Sequence, residues 1–268
     1  MAIEATEAER AVGRGYEALF VPAVFAAWTR HLIDGAGVGE GAHVLDIACG
    51  SGVLARHALS RAGPAGRVVG VDPVPGMLAA AAEVAPGIEW VAGRAEALDF
   101  GDGTFDCVLS QFGMMFFEDR DAAAAEMFRV MRPGGRLAVA VWNGIGANPA
   151  YADLSGLLDE AVSRAAGDAL RLPFSLGDAA GVEAPFRRAG FAAVVTETKE
   201  EEARFPDLRT MVEAELRGWL PLFGIVLDEA TIAEVLAGAE ARLERYAGAT
   251  GAVAFPTSAH VLTARKPD

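Results

Sequence analysis

The sequence predicts an α/β fold built on a parallel sheet, and three observations predict it. From His43 onward, short apolar runs alternate with helical stretches, the pattern of successive βαβ units. The first of those runs ends in a glycine-rich turn that opens a helix, and the second ends in an acid, Asp72. The length, 268 residues with 52% hydrophobic composition, suits one such domain with appended cap segments.

Taken in order, residues 3 to 34 read as helix carrying Tyr16, Phe20, Phe25 and Trp28, broken or kinked around Pro22. Five apolar runs then read as strands: Val44 to Ala48, Val68 to Val71, Ile88 to Val91, Phe105 to Ser110 and Leu137 to Trp142. Pro75 sits where the first turn of a crossover helix begins. Ala124, Met127, Phe128 and Met131 share one helical face ahead of the stop signal Pro133-Gly134-Gly135. Leu154, Leu157, Leu158, Ala161 and Val162 form the apolar stripe of another helix, and Leu172 to Asp178 reads as irregular. A helix near Val182 to Ala189 leads into a strand from Phe191 to about Thr198. Asp228 caps a helix with Ile232, Val235, Leu236, Ala239, Leu243 and Tyr246 on one face, and a strand from Val253 to about Arg265 completes a seven-stranded sheet. No fixed-period repeat or low-complexity linker interrupts the chain.

Composition narrows the function classes. The 23 Lys and Arg against 37 Asp and Glu leave a net charge of −14, which repels phosphate backbones and anionic lipid, so nucleic acid is a poor partner. No stretch approaches the ~18 apolar residues of a membrane span, and the acidic start is unlike a signal peptide, so a cytoplasmic protein is expected. Cys49 and Cys107 fall in a predicted buried loop and strand and are read as two reduced thiols. His31, His57 and His260 are read as surface or satisfied core groups, and His43 as the start of the first strand.

The segment VLDIACGSG, Val44 to Gly52, carries the chemistry. Gly50 and Gly52 let backbone approach a ligand with no Cβ in the way, and the following helix turns its free N–H groups towards it. Asp72 lies twenty residues beyond Gly52, where a carboxylate can accept both hydroxyls of a ribose. Gly50 to Ala55 also fits the dinucleotide fingerprint, a weak pattern. Asp46 separates the two ligands: it would repel a pyrophosphate, but it suits the ammonium and sulfonium of S-adenosylmethionine.

Together with VVGVDPVPGML, GRAEALDF, FDCVLSQFGMMFFED and VMRPGGRLAVAVW, in this order over residues 43 to 142, that segment gives the chain its likeness to a known family. It resembles a class I S-adenosylmethionine-dependent methyltransferase of the group that includes the ubiquinone and menaquinone C-methyltransferases. The resemblance implies a Rossmann-like sheet in the order 3-2-1-4-5-7-6 with the last strand antiparallel. It implies one domain over 1–268: an N-terminal helical lid (1–42), a cofactor-binding core (43–142), a cap insertion (143–184) and a sheet completion (185–268) with a helical insertion at about 205–247. Asp46, Ala48, Gly50 and Gly52 would line the methionine part, with Asp46 on the ammonium. Asp72 would hold the ribose, Pro73 and Met77 would pack on the adenine, and Ala95 and Glu96 would border its polar edge. Ser110, Gln111 and Phe112 would face the sulfonium and the acceptor, and Tyr16 would be a lid contact. The chain departs from the pattern at Arg94, where an acid is usual; an arginine cannot accept a hydrogen bond from the adenine amine.

Subclasses fall away on the same segments. Ser110-Gln111-Phe112-Gly113 replaces the Asn/Asp-Pro-Pro-aromatic motif of amino-methylating DNA enzymes, and Cys107 lies inside a strand rather than in a Pro-Cys nucleophile. Gln111 is a poor ligand for a hard metal, so activity without metal is expected. A small, apolar or aromatic acceptor remains, enclosed by segments 1–34, 143–180 and about 205–225, which carry Phe20, Phe25, Trp28, Phe174, Trp219 and Phe223. The run Met114 to Phe117 reads equally as core or as pocket lining. No residue is singled out as a catalytic base. Two other readings stand beside this one: a catalytically silent S-adenosylmethionine-binding module or enzyme partner, and, disfavoured by Asp46, an NAD-dependent oxidoreductase.

Overall fold

The chain's first helix, α1 (Glu7–Phe20), is opened by a capping box in which Thr6 and Glu9 satisfy each other's backbone N–H groups. The computed structural model describes residues 4–268, so the expected helix start at residue 3 lies outside the described residues. Pro22 has no N–H to donate, and the helix passes through a π turn (Val21–Phe25) and a 3₁₀ turn (Ala26–Trp28) before α2 (Thr29–Gly35). The kink expected at Pro22 is this π turn.

The βαβ units follow: β1 (His43–Ile47), α3 (Val53–Ala62), β2 (Arg67–Asp72), α4 (Pro75–Val84), β3 (Glu89–Ala92), β4 (Phe105–Gln111), α5 (Arg120–Val130) and β5 (Met131–Trp142). β1 pairs in parallel with β2 and β4, β2 with β3, and β4 with β5. Helices cover both faces, so the central strands are apolar throughout, with Val44, Leu45, Val108, Leu109 and Val139 inaccessible to solvent. Met131 stands in the first position of β5 rather than on the α5 face expected for it. The Pro133-Gly134-Gly135 signal forms an irregularity inside β5, where pairing jumps from Phe105–Met131 to Cys107–Arg136 and Gly134 takes φ +74°.

The rest of the chain is α6 (Pro149–Ala161), α7 (Arg164–Arg171), α8 (Ala179–Ala189), β6 (Ala192–Phe205), α9 (Leu208–Ala214), α10 (Glu229–Leu243) and β7 (Val253–Arg265). A π turn (Glu215–Trp219) and a 3₁₀ turn (Leu220–Phe223) follow α9. β7 lies antiparallel between β5 and β6, giving the order β3-β2-β1-β4-β5-β7-β6 that the family likeness implies. Several boundaries differ from the sequence reading. Ser163 caps a helix, α7, that was not expected, and Leu172–Phe174 is a 3₁₀ turn rather than irregular chain. β6 runs on to Phe205, well past Thr198, because it is an edge strand whose Glu and Lys side chains face solvent. Asp228 does cap α10, but that helix ends at Leu243, and Tyr246 falls in a 3₁₀ turn beyond it.

Candidate functional site

Strand order reverses between β1 and β4, so their C-terminal ends open the crevice where α/β sheets bind ligands. Each strand is followed directly by a non-glycine residue in the left-handed region, Ala48 and Phe112, each with φ +56°. Such strain persists only where surrounding structure over-determines it. Gly113 lets the two loops meet: a Cβ there would stand 2.4 Å from that of Ala48. Gly50 and Gly52, with φ +55° and +88°, turn the chain into α3, and the Trp90 ring fills the space where a Gly52 side chain would be.

Asp46 is inaccessible to solvent, and neither carboxylate oxygen reaches a hydrogen-bond partner. Burial pushes its pKa well up; the Ala55 amide in the first turn of α3 pulls the other way. Ser51 Oγ, Ser110 Oγ and Gln111 Oε1 are likewise buried without partners. Four orphaned polar groups at neighbouring strand ends are far from the usual condition of a protein interior. Asp46, Ala48, Gly50, Ser51 and Gln111 line a cavity of about 30 Å³, closed by Tyr16 and Phe25. Gln111 Nε2 donates to the Phe25 carbonyl at 3.1 Å, tying the end of β4 to the N-terminal segment.

Asp72 is almost fully buried at the end of β2. Its Oδ2 accepts the Gly50 N–H at 2.8 Å and its Oδ1 the Val74 N–H at 2.9 Å, so it fastens the glycine loop to the neighbouring strand. It lines neither this cavity nor the larger one. Pro73 is exposed beside it, whereas Met77 lines the larger cavity. Ala95 is buried and Glu96 accepts the Glu118 N–H at 2.8 Å, and both stand apart from the two cavities. Arg94 is half-exposed and pairs with Glu118 at 2.9 Å and more loosely with Glu96 at 3.6 Å.

The larger cavity, about 490 Å³, lies between α1, the end of β4, the α7–α8 connection and the π turn after α9. Phe112, Trp142, Phe174 and Trp219 line it, with the Phe112 and Trp142 rings stacked at 3.8 Å. Tyr16 and Phe25, stacked on each other at 5.3 Å, line both cavities and form the wall between them. α1 is held there by its crossing of α4 at paired glycines, where a Cβ on Gly13 would stand 2.1 Å from the Gly76 carbonyl oxygen. Of the aromatics expected in the cap, Phe20, Phe25, Phe174 and Trp219 line the cavity, while Trp28 is wholly buried core and Phe223 packs behind Trp219. Phe116 reaches the cavity; Met114 and Met115 are core.

Two polar residues of this cavity were not found from sequence. Glu215 is buried, and Tyr151 on α6 donates its hydroxyl hydrogen bond to the Glu215 carboxyl. Burial pushes the Glu215 pKa up to about 8 against the pull of that hydrogen bond. Glu215 stands in the π turn, where the helical period that would mark a buried position is broken. The histidines are held in structural contacts: His57 with Thr29, His31 with Glu201, and His260 with Thr198 and the Gly177 carbonyl. Among the described residues, no group of three or more His, Cys, Asp or Glu is placed to hold a metal ion.

The sheet order and the glycine loop at its switch point define the class: the fold is that of the class I S-adenosylmethionine-dependent methyltransferases. Residues 44–135 match the family model described as "Methyltransferase domain". Among curated proteins, the chain is 45% identical over 118 residues to the ubiquinone/menaquinone biosynthesis C-methyltransferase UbiE of Hahella chejuensis, 42% of this chain and 47% of that protein. It is 40% identical over 122 residues to the Pasteurella multocida UbiE, 43% of this chain and 46% of that protein. The matched part spans about half the length of these relatives. A solved structure of Haemonchus contortus phosphoethanolamine N-methyltransferase 2, with S-adenosylmethionine, superposes with TM-score 0.61 at 20% identity over 97% of this chain and 57% of that one. The [4+2]-cyclase SpnF superposes with TM-score 0.51 at 21% identity over 91% of this chain and 81% of that one; the fold alone therefore does not fix the reaction.

Proposed function

We propose that this chain transfers a methyl group from S-adenosylmethionine to a small, largely apolar organic acceptor held in the 490 Å³ cavity. One observation carries the reading: an orphaned, fully buried carboxylate, Asp46, in the glycine-loop cavity, one aromatic wall away from a large aromatic-lined cavity. A buried carboxylate with no cation is costly, and a ligand ammonium relieves that cost where a pyrophosphate would add to it. Asp46 would hold the ammonium, with Ala48, Gly50 and Gln111 around the methionine part. Asp72 fixes the loop and has lone pairs left for a ribose. When bound, S-adenosylmethionine supplies an electrophilic methyl on sulfonium. The chain's own contribution is to hold the acceptor in line and exclude water, which Phe112, Trp142 and Phe174 are placed to do.

The methyltransferase family match and the C-methyltransferase relatives support the reaction class. The cavity's aromatic lining supports the apolar acceptor, and the net charge of −14 argues against nucleic acid. Among the described residues no helix is long and apolar enough to cross a membrane. The free thiols of Cys49 and Cys107 support a reducing, cytoplasmic setting. Calorimetry with S-adenosylmethionine, S-adenosylhomocysteine and NAD, followed by a screen of phenols, quinones, indoles and amines for S-adenosylhomocysteine release, tests the reading. NAD binding without S-adenosylmethionine binding would overturn it. The cyclase neighbour motivates a second reading, a chain that binds the cofactor without transferring its methyl; methyl turnover with any acceptor separates the two.

A further inference from the structure

The larger cavity is lined mostly by aromatic and aliphatic side chains, with Glu213, Glu215 and Arg217 on one wall. There, Glu215 is turned inward with the Tyr151 hydroxyl on its carboxyl, and among the described residues no cation pairs with it. The charged and titratable groups around it are accounted for. On its own turn, Arg217 gives both guanidinium nitrogens to Glu229, at 2.7 and 2.8 Å. On α9, Glu213 is paired with Arg209 at 2.9 Å and with Arg217 at 3.6 Å. Tyr16 on α1 and Tyr151 on α6 are neutral phenols held that way by burial. A carboxyl that served only as core would be replaced at no loss by an apolar side chain, since burying it without a counter-charge costs several kcal/mol.

We propose that Glu215, positioned by Tyr151, is the polar anchor and proton acceptor for a hydroxyl group on the methyl acceptor, which makes the acceptor a phenol or an enol rather than an amine or a plain hydrocarbon. The inference rests on the methyltransferase reading and names the substrate class of its acceptor cavity. In the step assigned to Glu215, the acceptor's O–H bond breaks. The proton passes to a Glu215 carboxylate oxygen, and the bonding pair stays on the acceptor oxygen, raising its nucleophilic character for methylation. Tyr151 keeps its own proton and holds the carboxylate in place. A carboxyl with a pKa of about 8 takes that proton in its ionised form, whose share grows as the pH approaches 8. Aromatic rings, Tyr16, Phe112, Trp142, Phe174 and Trp219, make up most of the wall around Glu215, so a hydroxylated ring fits the cavity.

The test compares 4-ethylphenol with 4-ethylanisole, which lacks only the hydroxyl proton, and with phenethylamine as a cationic probe, by NMR titration from pH 6.5 to 9 in the presence of S-adenosylhomocysteine. The wild-type chain should prefer the phenol about tenfold above pH 8 and less below it, because a carboxylate is the stronger acceptor. In Glu215→Gln the preference should fall within twofold at every pH. In Tyr151→Phe it should persist, but its pH midpoint should move upward, since a hydrogen bond that lowers the Glu215 pKa is gone. Equal binding of phenol and anisole by the wild type, a preference that survives Glu215→Gln, or an unmoved midpoint in Tyr151→Phe overturns the proposal. Tighter binding of phenethylamine than of the phenol overturns the substrate class. Absence of S-adenosylhomocysteine binding in calorimetry on the same samples overturns instead the reading on which the proposal rests, while the probe titrations still report on Glu215.

Discussion

At the scale of the residue, the orphaned Asp46 makes the sharpest demand on a ligand. Its protonated form is favoured in the folded chain, and a bound ammonium favours the ionised form. Binding should therefore release a proton over the pH range in which Asp46 of the free chain titrates. Calorimetry of S-adenosylhomocysteine binding in phosphate and in Tris should give different apparent enthalpies, and Asp46→Asn should shrink that difference while weakening binding by about 2–4 kcal/mol. Equal enthalpies in both buffers at every pH from 5 to 9 would remove the cation from Asp46. On the proposed reading Asp72 holds a ribose as well as the Gly50 loop, so Asp72→Ala should lower both the melting temperature and cofactor affinity, the latter by about 2–4 kcal/mol. A variant that binds the cofactor unchanged would confine Asp72 to loop support. Asp46, Gly50 and Asp72 were legible in the sequence because strand end, tight turn and helix start are local events written in consecutive residues. Glu215 and Tyr151 were not: they meet only because α6 and the turn after α9 fold against the same cavity.

At the scale of the element, we propose α1 as the gate to the glycine-loop cavity. A cavity of about 30 Å³ beside the glycine loop has room for little more than water, so on the proposed reading α1 with Tyr16 swings aside to admit the cofactor. The Gly13–Gly76 crossing sets how closely it shuts. Gly13→Val should lever α1 off α4, because backbone cannot yield 2.1 Å, and the S-adenosylhomocysteine dissociation rate should rise at least tenfold with new proteolytic cleavage inside Glu7–Phe20. An unchanged rate would mean that α1 is not the gate. On the far wall, Phe174 touches Trp142 and Tyr151 but not the glycine loop. Phe174→Ala should raise the acceptor's KM or lower kcat while cofactor affinity stays within about 1 kcal/mol; loss of cofactor binding instead would contradict the division into two cavities. Period and punctuation revealed the strands of the sheet and the capped α10. The same cues hid α7, whose short Ala-, Gly- and Arg-rich run carries little apolar signal, and cut β6 short where its edge position tolerates Lys and Glu.

At the scale of the whole molecule, the buried carboxyls tie stability to pH. Asp46, Asp72 and Glu215 all have pKa values raised by burial, so each binds its proton more tightly in the folded chain than in the unfolded one. For Glu215, both states are protonated below the unfolded value near 4.3, and nothing is lost there. Between that value and about 8 the unfolded chain ionises while the folded chain does not, so stability falls as pH rises; above about 8 both are ionised and the loss is complete. From the ordinary glutamate value to about 8, the contribution is about 5 kcal/mol at 1.36 kcal/mol per pKa unit, of which about 4 kcal/mol falls between pH 5 and 9. The repulsion within a chain of net charge −14 also grows with pH, but it is nearly the same in a variant that differs by one carboxyl. Urea unfolding of the wild type and Glu215→Gln at pH 5, 7 and 9 isolates the one group. The wild type should lose stability between pH 5 and 9 by about 4 kcal/mol more than the variant does, with most of the divergence present by pH 8. Parallel curves would mean that Glu215 is ionised and solvated in the folded chain, and they would remove the buried proton acceptor on which the hydroxyl-bearing substrate class depends.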